Sequence, residues 1–201
     1  MASSRRRIYL ATGNAHKVQE FQHLAEVSSL EVEFVRPTTM PVVIEDTGTF
    51  VGNARKKATA LKSMLPADAW VLADDSGLCV DALDGEPGVE SAYFAGPDGN
   101  SAANLSKLVE VMKDISEDRR HAHFACVLVL LAADTTEYIC EGICLGTLRR
   151  APVGSGGFGY DPLFIPDGFD KTYAELNDAE KNKISHRGHA WLILVEQLKA
   201  N

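Results

Sequence analysis

Residues 121 to 148 hold two long apolar runs, HAHFACVLVLLA and TEYICEGICLGTL, separated only by a tight turn near Asp134. Strands joined this closely pair antiparallel, because a parallel pair needs a crossover of a dozen or more residues. Upstream the pattern differs. RIYLAT (Arg7 to Thr12) reads as a strand, and Lys17 to Val27 puts Val18, Phe21, Leu24 and Ala25 on one helical face. LEVEFV (Leu30 to Val35) alternates as a strand does, completing a β-α-β unit that pairs in parallel. Further along, Gly52 to Leu65 and Asn100 to Asp114 have helical period, WVLAD (Trp70 to Asp74) reads as a short buried strand, and Asp178 to Leu198 reads as one last helix. The expectation is an α/β chain with a mixed sheet.

With 201 residues, one domain of two lobes, 1–201, is expected. No apolar run approaches the roughly 20 residues that span a bilayer, and MASSRRRIYL lacks the apolar stretch of a signal peptide. Ser3 to Arg7 therefore reads as a basic lead-in to a strand, with the protein in the cytoplasm and no membrane partner. The net charge of −8 argues against a nucleic-acid partner, which would need a basic surface, but leaves room for a small phosphorylated ligand met by a few lysines. Cys79, Cys126, Cys140 and Cys144 sit in apolar, strand-like settings and read as buried free thiols; Cys140-x-x-x-Cys144 has no second ligand pair for zinc.

Five segments can carry chemistry. In ATGNAHK a strand stops at Thr12-Gly13-Asn14 and a helix starts through Ala15, His16 and Lys17. Free N–H groups and a first-turn lysine make an anion site, although Asn14 also suits a plain helix cap. In IEDTGTFVGNARKKA, Glu45 and Asp46 suit Mg2+, and Lys56 and Lys57 suit phosphate; a solvated acidic loop and basic helix face is the plainer reading. In LADDSGL, Asp74 and Asp75 sit at the end of a buried strand, followed by Ser76-Gly77, where burial and a like-charge neighbour split two carboxylates; an ordinary Asp-Ser-Gly turn is the plainer reading. GSGGFGYD, 154 to 161, places Phe158, Gly159, Tyr160 and Asp161 in a glycine-rich loop able to close on a planar ring. In AEKNKISHRGHA, Lys181 and Ser185 share a helical face, with His186 and Arg187 beside them, and suit phosphate or a purine edge.

Taken in order, T-G-N-x-x-K, A-D-D-S-G-L, G-G-F-G-Y-D-P and S-H-R make the chain resemble the inosine triphosphate pyrophosphatase family, over Thr12 to Arg187. The A-D-D-S-G-L form resembles the bacterial-type members. The resemblance implies a two-lobed α/β fold, a long twisted mixed sheet flanked by helices, and an active site in the cleft between lobes. It implies a Mg2+-dependent homodimer that splits ITP, dITP and XTP at the α–β bond into the monophosphate and pyrophosphate, clearing deaminated purines from the nucleotide pool.

It also implies roles. Thr12, Gly13, Asn14, Ala15, His16 and Lys17 form the substrate turn, with Asn14 and Lys17 nearest the phosphates. Asp75, assisted by Asp74, is the proton acceptor, and Asp75 also ligates the metal. Ser76, Lys57, Phe158 to Asp161, Lys181, His186 and Arg187 meet substrate. The stretch Glu45-Asp46-Thr47-Gly48-Thr49-Phe50 is one residue shorter than the family's usual acid-Gly-x-Thr-Phe spacing. Either Glu45 or Asp46 then supplies the second metal carboxylate, with Glu45 preferred. Which of Phe158 and Tyr160 stacks on the base is left open. A regulatory nucleotide binder, a pyrophosphatase for another modified nucleotide and a single-stranded nucleic-acid binder are the competing readings.

Overall fold

The structure, a computed structural model, describes residues 5–28 and 30–200. Ser3 and Ser4 of the basic lead-in lie outside the described residues. Six strands form one sheet in the order β2-β1-β3-β4-β5-β6. Strand β1 (Arg6–Leu10) lies parallel to β2 (Val32–Val35) and to β3 (Trp70–Val80). Strands β4 (His121–Leu131) and β5 (Glu137–Leu148) are neighbours across a short turn, and β5 pairs antiparallel with a short β6 (Phe164–Pro166). The helices are α1 (Ala15–Val27), α2 (Phe50–Lys62), α3 (Ser101–Val111), α4 (Asp178–Ile184) and α5 (His186–Ala200). The mixed α/β expectation holds, and no described helix is long and apolar enough to cross a membrane.

The chain divides into two compact units. The first comprises the described residues of Met1–Asp75, Cys126–Gly142 and Arg187–Asn201; the second comprises Ser76–Ala125 and Ile143–His186. In the first unit Ile8, Leu10, Phe21, Leu72, Leu128 and Trp191 share one core, and a second cluster joins Ala54, Ala58 and Leu61 of α2 to Val71, Ala73 and Val129. In the second unit Leu78, Leu108, Phe124, Phe164 and Tyr173 are packed together. Arg120, buried there, donates to the carbonyls of Met112, Leu148 and Arg149, closing the end of α3 and the end of β5 with one guanidinium. All four cysteines are free; Cys126, Cys140 and Cys144 are buried and Cys79 is half-buried.

Two sequence expectations are corrected. Strand β3 does not stop at the acid pair but runs on to Val80, so Ser76 and Gly77 continue the strand and form no turn. Gly77 is what allows it: a Cβ there would stand 2.1 Å from the Gly88 carbonyl oxygen and 2.5 Å from Ser91 Oγ. That close approach lets Ser91 Oγ accept from the Leu78 N–H at 2.9 Å. The last helix is two helices. Ser185 is extended (φ −76°, ψ 154°), ending α4, and α5 starts afresh at His186. His186 and Arg187 thus occupy the first turn of a new helix, and Ser185 does not share a helical face with Lys181.

Candidate active site

In the first unit, β1 delivers the chain to Thr12 and Gly13, and Asn14 caps α1 by accepting from the His16 N–H at 2.9 Å and the Lys17 N–H at 3.4 Å. Asn14, Ala15 and His16 are exposed, whereas Lys17 is half-buried with its ammonium on Asp74 Oδ1. The other oxygen, Asp74 Oδ2, accepts from Arg187 Nε at 2.9 Å and Nη2 at 2.6 Å, and from the Cys126 thiol at 3.5 Å. Arg187 Nη1 donates to Glu20. Lys17, Asp74, Arg187 and Glu20 thus form one chain of alternating charge, with Asp74 and Arg187 almost wholly buried. Burial alone would raise the Asp74 carboxyl, but the Arg187, Lys17 and Lys57 charges outweigh it and hold it well below the carboxylate range. The same pairing holds Arg187 above its usual value against the cost of burial.

Asp75 lives in a different environment. Its Oδ1 accepts from Lys57 Nζ at 2.7 Å and its Oδ2 from Asn53 Nδ2 at 3.3 Å. Lys57 also donates to Glu45 Oε2 at 2.9 Å. Burial, only partly offset by Lys57 and Lys17, and a hydrogen bond with Glu45 push Asp75 up to about 6. Glu45 moves the opposite way: burial raises it, but Lys57 and the shared hydrogen bond bring it below its usual value. Adjacent carboxylates on one strand therefore differ in kind. Asp74 is fixed as an anion, and Asp75 is poised to take a proton near neutrality.

The structure brings Glu45, and not Asp46, to Asp75. Asp46 is exposed and paired with Lys56, which also donates to the Ile44 carbonyl at 2.9 Å. Glu45 and Asp75 converge on one ammonium, so the same oxygens can face a divalent cation. Two converging carboxylates suit a hard divalent cation, which takes oxygen ligands. Among the described residues no group of three or more His, Cys, Asp or Glu forms a closed metal cage.

In the second unit the GSGGFGYD loop is tied down by its own acid. Asp161 Oδ2 accepts from the Phe158 N–H at 2.8 Å and from Lys181 Nζ at 2.7 Å. The Lys181 ammonium also lies 4.9 Å from the centre of the Phe158 ring and 5.5 Å from that of Tyr173. Tyr160 is buried, its hydroxyl donating to the Ser91 carbonyl at 2.8 Å, while Phe158 is half-buried. The two aromatics are thereby separated: Tyr160 is built into the core and Phe158 is held at the loop surface. Gly157 has φ +67°, and a Cβ there would stand 2.1 Å from Asp161 Oδ2, so glycine is required for the carboxylate to reach the loop N–H. His186 stacks on Phe124, ring centres 4.8 Å apart and planes 13° apart. Ser76 and Gly159 complete the expected set, Ser76 within β3 and Gly159 in the loop with φ +62°.

Three residues to which the sequence reading gave no part in the site, Glu20, Asn53 and Cys126, belong to these networks. Glu20 lies three after Lys17 on α1, which is same-face spacing for a charged pair. Asn53 is a polar residue in the buried stripe of α2, with Ala54, Ala58 and Leu61. Cys126 gives no such signal, since it sits inside an unbroken apolar run.

Comparison with known proteins points one way. The model of the Ham1 family matches residues 8–197. A dITP/XTP pyrophosphatase of Opitutus terrae is 55% identical over 197 residues, covering 94% of this chain and 97% of its own. One of Escherichia coli K12 is 46% identical over 199 residues, covering 96% and 98%. The solved structure of a HAM1 protein from Coxiella burnetii matches with a TM-score of 0.83 at 37% identity, covering 98% of this chain and all of that one. On the family match and on relatives this similar over nearly their whole length, the chain belongs to the Ham1 family.

Proposed function

We propose that this protein is a Mg2+-dependent nucleoside triphosphate pyrophosphatase that hydrolyses dITP, XTP and ITP to the monophosphate and pyrophosphate. The observation that carries the reading is the Asp74–Asp75 pair, one carboxylate locked by Lys17 and Arg187 and its neighbour raised to about 6 beside Glu45 and Lys57. A nucleotide binder without turnover has no use for a buried acid held ready for a proton. The relatives' shared name, dITP/XTP pyrophosphatase, supports the substrate class.

Water attacks the α-phosphorus, its proton passes to Asp75, and the α–β bridging P–O bond breaks to release pyrophosphate. Glu45 and Asp75 would hold Mg2+, which when bound neutralises phosphate charge and favours ionisation of the attacking water. Lys57 and Lys17 offer N–H donors to the leaving phosphates, and Thr12 to Lys17 supply the helix N-terminus. Asp74 acts as the counter-ion that fixes Lys17. On the nucleoside side, Phe158 covers the base, and Tyr160 and Asp161 hold the loop that carries it. A loop N–H or His186 meets the purine carbonyl; Arg187 is occupied by Asp74 and Glu20. The protein works as a homodimer in the cytoplasm, where the nucleotide pool lies.

The test is one substrate panel with Mg2+: dITP, XTP, ITP, GTP, dUTP and ATP, scoring pyrophosphate against orthophosphate. Pyrophosphate is expected from the first three. ATP should be slower by roughly tenfold to a hundredfold, the scale of about 1–3 kcal/mol for a buried donor left unpaired. Orthophosphate as first product rejects α–β cleavage, and equal rates with ITP and ATP reject the carbonyl-reading loop.

The loop gives a second expected result. In Gly157→Ala the methyl group collides with Asp161 Oδ2, so Asp161 must release the Phe158 N–H, Lys181 or both. KM for dITP should rise about tenfold or more, from losing a charge-assisted bond of roughly 1.5–3 kcal/mol. Unchanged KM in a folded Gly157→Ala variant would separate the loop from nucleoside binding.

A further inference from the structure

Helix α2 presents two side chains to Asp75. Lys57 takes Oδ1, and Asn53, one turn earlier, takes Oδ2. Asn53 is only 1% exposed and is bonded at both ends of its amide. Its Oδ1 accepts from the Thr47 N–H at 3.2 Å and from the Thr47 hydroxyl at 2.8 Å. A backbone N–H can only donate, so this contact fixes the amide orientation and leaves Nδ2 for Asp75. Thr47 stands two residues after Glu45, on the loop that brings Glu45 to Lys57. The neighbouring glycine makes the approach possible: a Cβ on Gly52 would lie 2.3 Å from Thr47 Oγ1 and 2.7 Å from Thr49 Oγ1. Thr49 in turn caps α2, accepting from the Gly52 N–H at 3.1 Å. The helix cap, the Glu45 loop and Asp75 are thus linked through one side-chain amide.

We propose that Asn53 is a positioning residue that holds the Glu45 loop and Asp75 in a single register, so that it sets both the affinity for a divalent cation and the rate of the chemical step. The proposal rests on the reading of Glu45 and Asp75 as the cation-binding pair. Lys57 bridges the two carboxylates at their oxygens, and Asn53 adds a second tie, from the Thr47 backbone of the Glu45 loop to Asp75 on the strand. A residue with a merely structural role would lower stability when removed and leave the folded fraction with normal cation affinity and turnover. A residue that sets the register moves both, by the roughly 10–100-fold typical of partners that orient metal ligands.

The experiment compares wild type, Asn53→Ala and Thr47→Val as full-length proteins. Mn2+ alone is titrated by calorimetry into each, without nucleotide, and kcat and KM for dITP are measured at saturating Mg2+. Asn53→Ala is expected to weaken Mn2+ binding about 10–100-fold and to lower kcat over a similar range, with KM for dITP changed much less. Thr47→Val, at an exposed position, removes the hydroxyl bond and keeps the N–H bond. It should shift both quantities in the same direction by a few-fold. Wild-type Mn2+ affinity and kcat in a folded Asn53→Ala protein overturn the proposal. If Asn53→Ala does not fold, unchanged Mn2+ affinity in Thr47→Val overturns it. Failure of wild type to release pyrophosphate from dITP would strike the functional reading instead, and the Mn2+ titration would still decide the role of Asn53.

Discussion

Replacing Asp75 by asparagine is expected to lower kcat for dITP by at least about a hundredfold, the scale of a lost acid–base group, while the protein stays folded. The substitution keeps the size of the side chain and leaves an oxygen able to accept from Asn53, as Asp75 Oδ2 does at 3.3 Å. It removes the carboxylate that burial and Glu45 raise to about 6, the proton acceptor of the proposed mechanism. Lys57 loses one carboxylate partner but keeps Glu45 at 2.9 Å, so its charge is not stranded. The loss should therefore fall on kcat, with KM for dITP altered less, the pattern of an interaction made in the transition state. Thermal melting supplies the control. A variant that melts close to wild type and still turns over near the wild-type rate would remove Asp75 from the chemistry and leave the mechanism without a base.

The fold was legible where period and turn chemistry agree. The β4–β5 hairpin follows from two apolar runs and a turn, and α1 follows from a capping Asn14 ahead of Val18, Phe21 and Leu24. It was not legible where a tertiary contact overrides local preference. Asp75-Ser76-Gly77 also suits a turn by composition, yet it continues the strand because the side-chain-free Gly77 admits the Gly88 carbonyl and Ser91. The break at Ser185 is invisible in a run whose neighbours all accept helix. The candidate site shows the same division. Motif spacing singles out Asp75, Lys57 and Asp161 as candidates, but it cannot tell which oxygen meets which donor. It therefore could not distinguish an anchored Asp74 from a poised Asp75, assign Tyr160 to the core and Phe158 to the surface, or see that Arg187 faces Asp74 and Glu20.

The anchored role of Asp74 carries the largest expected effect on stability. Asp74→Ala removes the carboxylate that accepts from Lys17, Arg187 and Cys126 inside a site where Asp74 and Arg187 are shielded from water. Arg187 keeps Glu20, but its Nε and Nη2 donors lose their acceptor. Breaking a buried pair from one side costs about 3–5 kcal/mol, because the remaining charge is left uncompensated. At roughly 2–4 °C per kcal/mol for a chain of this length, the melting temperature should fall by roughly 6–20 °C. Asp74→Asn should fall less, since an amide oxygen can still accept from Arg187 while the ionic attraction is lost. Added salt should leave the wild-type pairs largely intact, because screening acts weakly on buried charges. Calorimetric melting of the two variants beside wild type, at low and at high salt, is the measurement. If Asp74→Ala melts with wild type and loses only turnover, Asp74 is part of the proton-transfer chemistry and not its support. If it loses stability first, and Lys17→Met in the wild-type background raises KM for dITP, then Asp74 serves by holding Lys17 where the phosphates need it.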